Sequence, residues 1–341
     1  MGAYGSPSIA LLSGAMSLRH PLLGFVGRRL FLGALTLLLV SIVVFAATQI
    51  LPGDAARAVL GRSATPERLQ ILRLQLHLDR PALTQYWIWL SGLFAGDLGT
   101  SLVTPQGIYQ LAAPRIANSF SLLVIVGAIG VPVAVALGIA AAIRRNRAFD
   151  TGLSVAALAM AAVPEFVIGI GLIIVFATVV LHWLPPVSLV PPGTSVWASP
   201  RILVLPTLTL VIAVFPYIFR MMRSSMIEVL DSEYIEMARL KGIAQRRLIL
   251  RHALPNAIAP TVQVIALTFA YLAGGVVVVE YVFGFPGIGQ GLVNAVFTRD
   301  IPMIQFIVVL LAAFYVVVNI TADVVAVLVT PKLRTGAWRR S

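Results

Sequence analysis

The chain has no cysteine among its 341 residues. A disulfide, a thiolate metal site and a cysteine nucleophile are thereby excluded, and cysteine usage leaves the redox compartment unmarked. Lysine is nearly missing too: only Lys241 and Lys332 occur, and neither follows a glycine or precedes a serine or threonine. A G-x-x-x-x-G-K-[ST] phosphate loop cannot be built from this chain, so any ATP that powers its work must bind a partner. The four histidines, His20, His77, His182 and His252, are scattered without metal-ligand spacing. None falls inside an apolar run, which counts against an intramembrane Ser-His protease. No metal site, catalytic residue or cofactor is expected. Charge is scarce: 11% of residues are charged and 59% hydrophobic, which is not a soluble composition. The net charge of +12 would suit nucleic acid, but the basic residues gather at the ends of apolar runs, and no nucleic-acid partner is expected.

What is abundant is apolar sequence. Runs long enough to cross a hydrocarbon core of ~30 Å recur, which predicts an all-α integral membrane protein. Six spans are expected, Leu30–Ile50, Ser119–Ile143, Gly152–Leu181, Ile202–Phe219, Thr261–Val279 and Met303–Val329, so both termini share one side. Lys and Arg select that side as cytoplasmic, because short inner loops collect them. Of the 25 basic residues, 17 fall on the predicted inside, with Arg28-Arg29, with Arg144, Arg145 and Arg147, between Arg220 and Arg251, and after Thr330. Eight fall outside, six of them in one long loop where the rule is weak. The predicted organisation is a cytoplasmic tail over 1–27, a first span over 28–51 and an outer helical segment over 52–118. A transmembrane core covers 119–330 with a cytoplasmic loop at 220–256, and a basic tail covers 331–341. Residues 1–15 hold no Arg or Lys and do not make a cleavable signal peptide; Met16 is an alternative start.

The long outer segment reads as helical. Thr65-Pro66 is a cap followed by proline at the first helical position, with Leu69, Leu72 and Leu76 on one face. Leu78-Asp79-Arg80-Pro81 breaks that helix, Tyr86, Trp87 and Trp89 suit the headgroup layer, and Gly96-Asp97-Leu98-Gly99 is a turn. Glu165 stands near the middle of the third predicted span beside Pro164. A carboxylate there costs about 2.5 to 3.5 kcal/mol on insertion scales, so it must face protein or a water-filled cavity. Two readings stay open: Pro164 and Glu165 line a translocation path where the carboxylate attracts a substrate amino group, or Glu165 makes a helix–helix hydrogen bond. Glu280, near an outer end, is expected to be solvated or to steady an outer gate. Asn319 and Asp323, at i and i+4, are expected to bond neighbouring helices.

The stretch Asp231 to Pro255 is a charged island between apolar helices. Asp231 or Ser232 is placed to cap a helix whose first turn carries Glu233 at the positive end of the dipole. Tyr234, Met237, Ala238 and Lys241 share one face, with small Ala238 permitting close approach by another protein. Gly242 ends or bends the helix. Glu236-Met237-Ala238, Gly242 six residues after the glutamate, and Leu254-Pro255 resemble the cytoplasmic "EAA" loop of ABC importer permeases. Met237 stands where that family usually has alanine, and His252 where it has an aliphatic residue. Leu51-Pro52-Gly53-Asp54, Leu78-Asp79-Arg80-Pro81, Gln85-Tyr86-Trp87 and Gly96-Asp97-Leu98-Gly99 look like the first permease subunit of dipeptide, oligopeptide and nickel importers. So do Pro286-Gly287-Ile288-Gly289 and Arg299-Asp300-Ile301-Pro302. The glycines at 287, 289 and 291 lack the preceding strand that a phosphate-binding fingerprint needs.

The resemblance implies a type I ABC importer transmembrane fold with a cytoplasmic coupling helix, in a bacterial or archaeal plasma membrane. It implies a second permease subunit, in a heterodimer, with two ATP-binding subunits carrying ATP and Mg and an extracytoplasmic solute-binding protein. Glu236 would orient or pair at the docking surface, Ala238 would allow close contact and Gly242 would turn the chain, with Tyr234, Met237 and Lys241 beside them. Di- or oligopeptides are the expected cargo, with nickel chelate, glutathione and haem as alternatives. An ion-gradient-driven secondary transporter is the rival; it would need mid-membrane ion sites and often an internal repeat, and no repeat is visible.

Overall fold

The computed structural model describes residues 21–50, 65–75, 79–191 and 194–329. Leu51-Pro52-Gly53-Asp54, Leu76, His20, His77, Leu78, Lys332 and the two predicted tails' outer parts lie outside them. In hydrocarbon every backbone N–H and C=O needs an internal partner, so apolar runs fold as helices. The described residues form α1 Pro21–Ile50, α2 Pro66–Gln75, α3 Ala82–Ala95, α4 Ile108–Ile143, α5 Ala148–Ala162, α6 Glu165–Ile173, α7 Arg201–Leu230, α8 Glu233–Leu240, α9 Leu254–Phe283, α10 Ile288–Thr298 and α11 Ile301–Val329. Among them α1, α4, α7, α9 and α11 contain segments long and apolar enough to cross a membrane, and two bent pairs, α5–α6 and the last part of α9 with α10, meet the same length and composition test when each pair is taken together.

α7 is the axis of the bundle, the most buried of the spans. It packs on α4, α9, α5 and α6, and Leu122, Val126, Leu205, Leu210, Ile218, Phe219, Leu272 and Val276 form the core between them. Gly138 makes the α4–α7 contact possible: a Cβ there would stand 2.9 Å from the Met222 Cβ and 3.0 Å from the Phe219 carbonyl oxygen. Small residues let helix backbones approach where no hydrophobic force separates protein from lipid. α1 lies on α11, where Gly33 faces Val316. Arg29 Nε meets Asp323 Oδ2 at 3.0 Å toward one end of the pair, and Gln305 donates to the Thr48 hydroxyl at 2.8 Å toward the other. Asn319 instead bonds the Tyr315 carbonyl of its own helix, so only Asp323 of that pair reaches a neighbour.

The third predicted span is two helices meeting at 102°. Val163 is extended, φ −102° and ψ 127°, as a residue before proline prefers, and Pro164 has no N–H to continue the ladder. The second span begins at Ile108, eleven residues before the end of its polar-looking stretch. Arg115 and Asn118 are compatible with it because they donate to the carbonyls of Gly287 (3.3 Å) and Pro286 (2.9 Å). α3 folds back on the end of α1: Tyr86 is buried with Phe45 and Leu90, its hydroxyl 2.9 Å from Ser41 Oγ. Of the three aromatics assigned to the headgroup layer, Trp87 is the exposed one. α3 ends on Gly96 at φ +79°, and Asp97 accepts from the Gly99 N–H at 3.0 Å, the predicted turn.

Candidate functional site

α8 leaves the end of α7 as a short amphipathic helix. Ser232 occupies its N-cap position, but its hydroxyl donates back to the Val229 carbonyl. Asp231 pairs with Arg145 at 2.7 Å, so neither side chain caps the helix as the sequence suggested. Glu233 and Glu236 stand in the first turn, where the dipole favours acids. Gly242 then reverses the chain at φ +73° in open space, a conformation that an L side chain rarely adopts. Its N–H bonds the Arg239 carbonyl at 2.9 Å and the Ile243 N–H bonds that of Ala238 at 3.2 Å. A helical turn over Gln245–Arg247 and a π-helical stretch over Leu248–Ala253 lead into α9.

One face of α8 is fixed. Ile235 is fully buried with Met222, Met226, Leu248, Ile249, Ala253 and Ala257, and half-buried Ala238 packs on the same cluster. Tyr234 ties the helix to the start of α9, donating to the His252 carbonyl at 3.2 Å and accepting from Asn256 at 3.1 Å. The other face is exposed: Tyr234, Met237 and Leu240 are exposed large side chains, flanked by exposed Glu236 and Lys241. Of the predicted face of Tyr234, Met237, Ala238 and Lys241, three positions are exposed and Ala238 is half-buried against the cluster. The sequence reading missed Leu240, 76% exposed, and the anchor Ile235; the i, i+3 spacing of Ile235 and Ala238 was the available signal.

Pro164 and Glu165 sit at the elbow between α5 and α6, far along the chain from α8. The Glu165 carboxylate accepts from Tyr271 at 3.4 Å and passes close over the bare backbone of Gly275, where a Cβ would stand 3.1 Å from Oε1. Three further polar clusters have partners that the sequence did not reveal. Asp150, 2% exposed, takes Arg223 Nε at 2.5 Å and Nη2 at 2.8 Å, with the Asn146 N–H at 3.1 Å. Glu280 is fully buried and not solvated: Ser119 donates to it at 2.5 Å and the Gly289 N–H at 2.7 Å, so it caps α10 and fastens it to α4. Its carboxylate fills the space a Cβ on Gly287 would need, which accounts for the first glycine of the Pro-Gly-Ile-Gly run. Asp300 is held by Ser101 and by the Leu102 N–H at 3.1 Å, closing the loop before α4. No group of three or more His, Asp or Glu side chains is placed to hold a metal among the described residues.

The geometry is that of a bundle of apolar helices with an amphipathic elbow anchored between α7 and α9, and sequence comparison decides the family. Residues 134–335 match the family "Binding-protein-dependent transport system inner membrane component", and residues 22–129 match its N-terminal companion. The chain belongs to this family. A peptide transport system permease protein of Brucella abortus is 37% identical over 298 residues, 87% of this chain and 95% of the relative. A counterpart in Brucella suis is 36% identical over 297 residues, covering 87% and 94%. The glutathione transport system permease protein GsiC of Salmonella choleraesuis is 36% identical over 314 residues, covering 92% and 99%. The protein is therefore a multi-pass permease subunit of a binding-protein-dependent ABC importer, with the type I membrane-domain fold, and is not itself the catalytic subunit. Its family matches span both the α3–α4 region and the α8 elbow.

Proposed function

We propose that this permease carries di- or oligopeptides and that α8 is its coupling helix, seated in a groove of a separate ATPase. The observation that carries the coupling assignment is the division of α8 into an anchored face, through Ile235 and Ala238, and an exposed face of Glu236, Met237, Leu240 and Lys241, with Tyr234 at the boundary, exposed but bonded to α9. A helix held to two spans on one side and exposed on the other can receive a push and pass it on. Gly242 supplies the reversal that returns the chain to α9. The peptide assignment rests on the relatives' cargo; glutathione is itself a small peptide. ATP and Mg belong to two ATP-binding subunits, a second permease completes the pathway as a heterodimer, and a solute-binding protein delivers cargo at the opposite face. The arginines at 144, 145, 147, 223, 246, 247 and 251 support a cytoplasmic α8 end and, with six crossings, cytoplasmic termini. Pro164 and Glu165 line the path between the two permeases.

The test is Gly242→Asp in the assembled importer, read as ATP-dependent uptake of a labelled tripeptide and as co-purification of the ATPase. Loss of uptake with weakened ATPase retention is expected. Unchanged uptake and assembly would remove the coupling assignment.

A further inference from the structure

Two polar side chains from different helices meet within the apolar part of the bundle. Glu165 begins α6, directly after the break that ends α5, and Tyr271 lies on α9. The Tyr271 hydroxyl donates to the Glu165 carboxylate at 3.4 Å. Tyr271 is about half exposed, and Glu165 is partly so.

This exposure cannot be to lipid tails without a cost of several kcal/mol for the carboxylate. A carboxylate that needs only a structural partner would be covered, as Glu280 and Asp150 are in the same chain. Glu165 instead has one long hydrogen bond, from Tyr271, and no Lys or Arg among the described residues is ion-paired with it. The 102° break holds it there: with α5 ending at Ala162 and α6 starting at Glu165, the side chain projects from an elbow and not from a straight helix flank. Gly275 removes the side chain that would otherwise crowd it. An anionic group beside a tyrosine is the chemistry that holds a primary ammonium, through a charge-assisted hydrogen bond and cation–π attraction.

We propose that Glu165 and Tyr271 form a subsite in the translocation path for the protonated α-amino group of a passing peptide. The proposal rests on the peptide-permease reading above, and the test separates the two. The importer, reconstituted in proteoliposomes with its own ATPases and saturating binding protein, is offered trialanine and N-acetyl-trialanine, which lacks the positive charge. Glu165→Gln is expected to lower the ratio of trialanine to N-acetyl-trialanine uptake about tenfold, and Glu165→Asp to restore part of it. Tyr271→Phe, which removes one hydroxyl, is expected to lower the ratio about threefold, and it decides the matter should Glu165→Gln fail to assemble. An equal fall for both probes would leave Glu165 in the path and overturn the ammonium subsite. No change for either probe would remove Glu165 from the path altogether. A wild-type complex that imports neither probe would overturn the peptide reading itself.

Discussion

The ion pair between α5 and α7 allows a stability prediction whose order, as well as its size, follows from the structure. Asp150 is 2% exposed, while the Arg223 side chain keeps 28% of its surface in contact with its surroundings. Removing one member of a buried pair costs about 3 to 5 kcal/mol because the other is left buried and uncompensated. Arg223→Met strands the better-buried group, so the full penalty applies, offset only by what Asp150 retains from the Asn146 N–H. Asp150→Ala strands a guanidinium that can still turn toward water, which reduces the cost to about 2 kcal/mol. At roughly 2 to 4 °C per kcal/mol for a chain of a few hundred residues, the melting temperature should fall by about 10 °C for Arg223→Met and about 5 °C for Asp150→Ala. The assay is a thermal melt of the purified complex in nanodiscs at one scan rate, since unfolding of such complexes is often irreversible. The double replacement Asp150→Leu with Arg223→Met should melt above Arg223→Met alone, because an apolar pair has no stranded charge. If Asp150→Ala proved the more damaging single change, or if both shifted the melt by less than a degree, the account of which partner is desolvated would be wrong.

Arg145 and Asp231 pair at 2.7 Å but are 48% and 63% exposed, so Arg145→Gln should change the melt by less than about 1 kcal/mol, checked in the same scans. Gly289→Ala would drive a Cβ into the Val277 backbone and should abolish assembly, whereas Gly274→Ala, with nothing within 4 Å, should express like the parent; membrane yield and gel filtration distinguish them. Gly242→Ala meets no steric obstacle but must hold φ +73°, at a cost of about 1 kcal/mol; uptake should fall less than in Gly242→Asp. Because the chain has no native cysteine, Leu240→Cys gives a single-thiol probe: a membrane-impermeant maleimide should label it in inside-out vesicles and not in right-side-out ones, and labelling should fall when the ATPase is bound.

Hydropathy and charge made the spanning helices and the α8 elbow legible, because both depend on composition within one segment. What they left unread depends on partners distant in the chain. Arg115 and Asn118 looked like the end of an outer loop; only their bonds to Gly287 and Pro286, about 170 residues on, explain why α4 runs through them. Pro164 marked a disturbance in the third span, but a proline is compatible with a gentle kink or a full break, and the extended Val163 selects the break. On α8 the helical period located the exposed positions Tyr234, Met237 and Lys241. Ala238 is half-buried against Met222, Met226 and Leu248, a contact the period alone did not reveal because a small residue fits both a docking surface and a packed core. Glu280 had no sequence signal separating solvation from burial; the Gly287 and Gly289 positions carry that information only once α9 and α10 are folded against each other.

These contacts also determine where a force on α8 would go. Through Ile235 the helix bears on Met222 and Met226 of α7, and through Tyr234 on the His252 carbonyl and on Asn256 of α9. Both routes enter α7 and α9, and α9 carries Tyr271. α5 is tied to α7 through the Asp150–Arg223 pair, and α5 ends at the elbow that presents Glu165. α1 is fastened to α11 by its own ion pair and the Gln305–Thr48 bond, and α11 in turn packs on α9. A displacement of α8 in the proposed complex would therefore shift the three helices around Glu165 first and reach the α1–α11 pair only through α9. Cross-linking α8 to α9 should then block uptake, and cross-linking α1 to α11 should not.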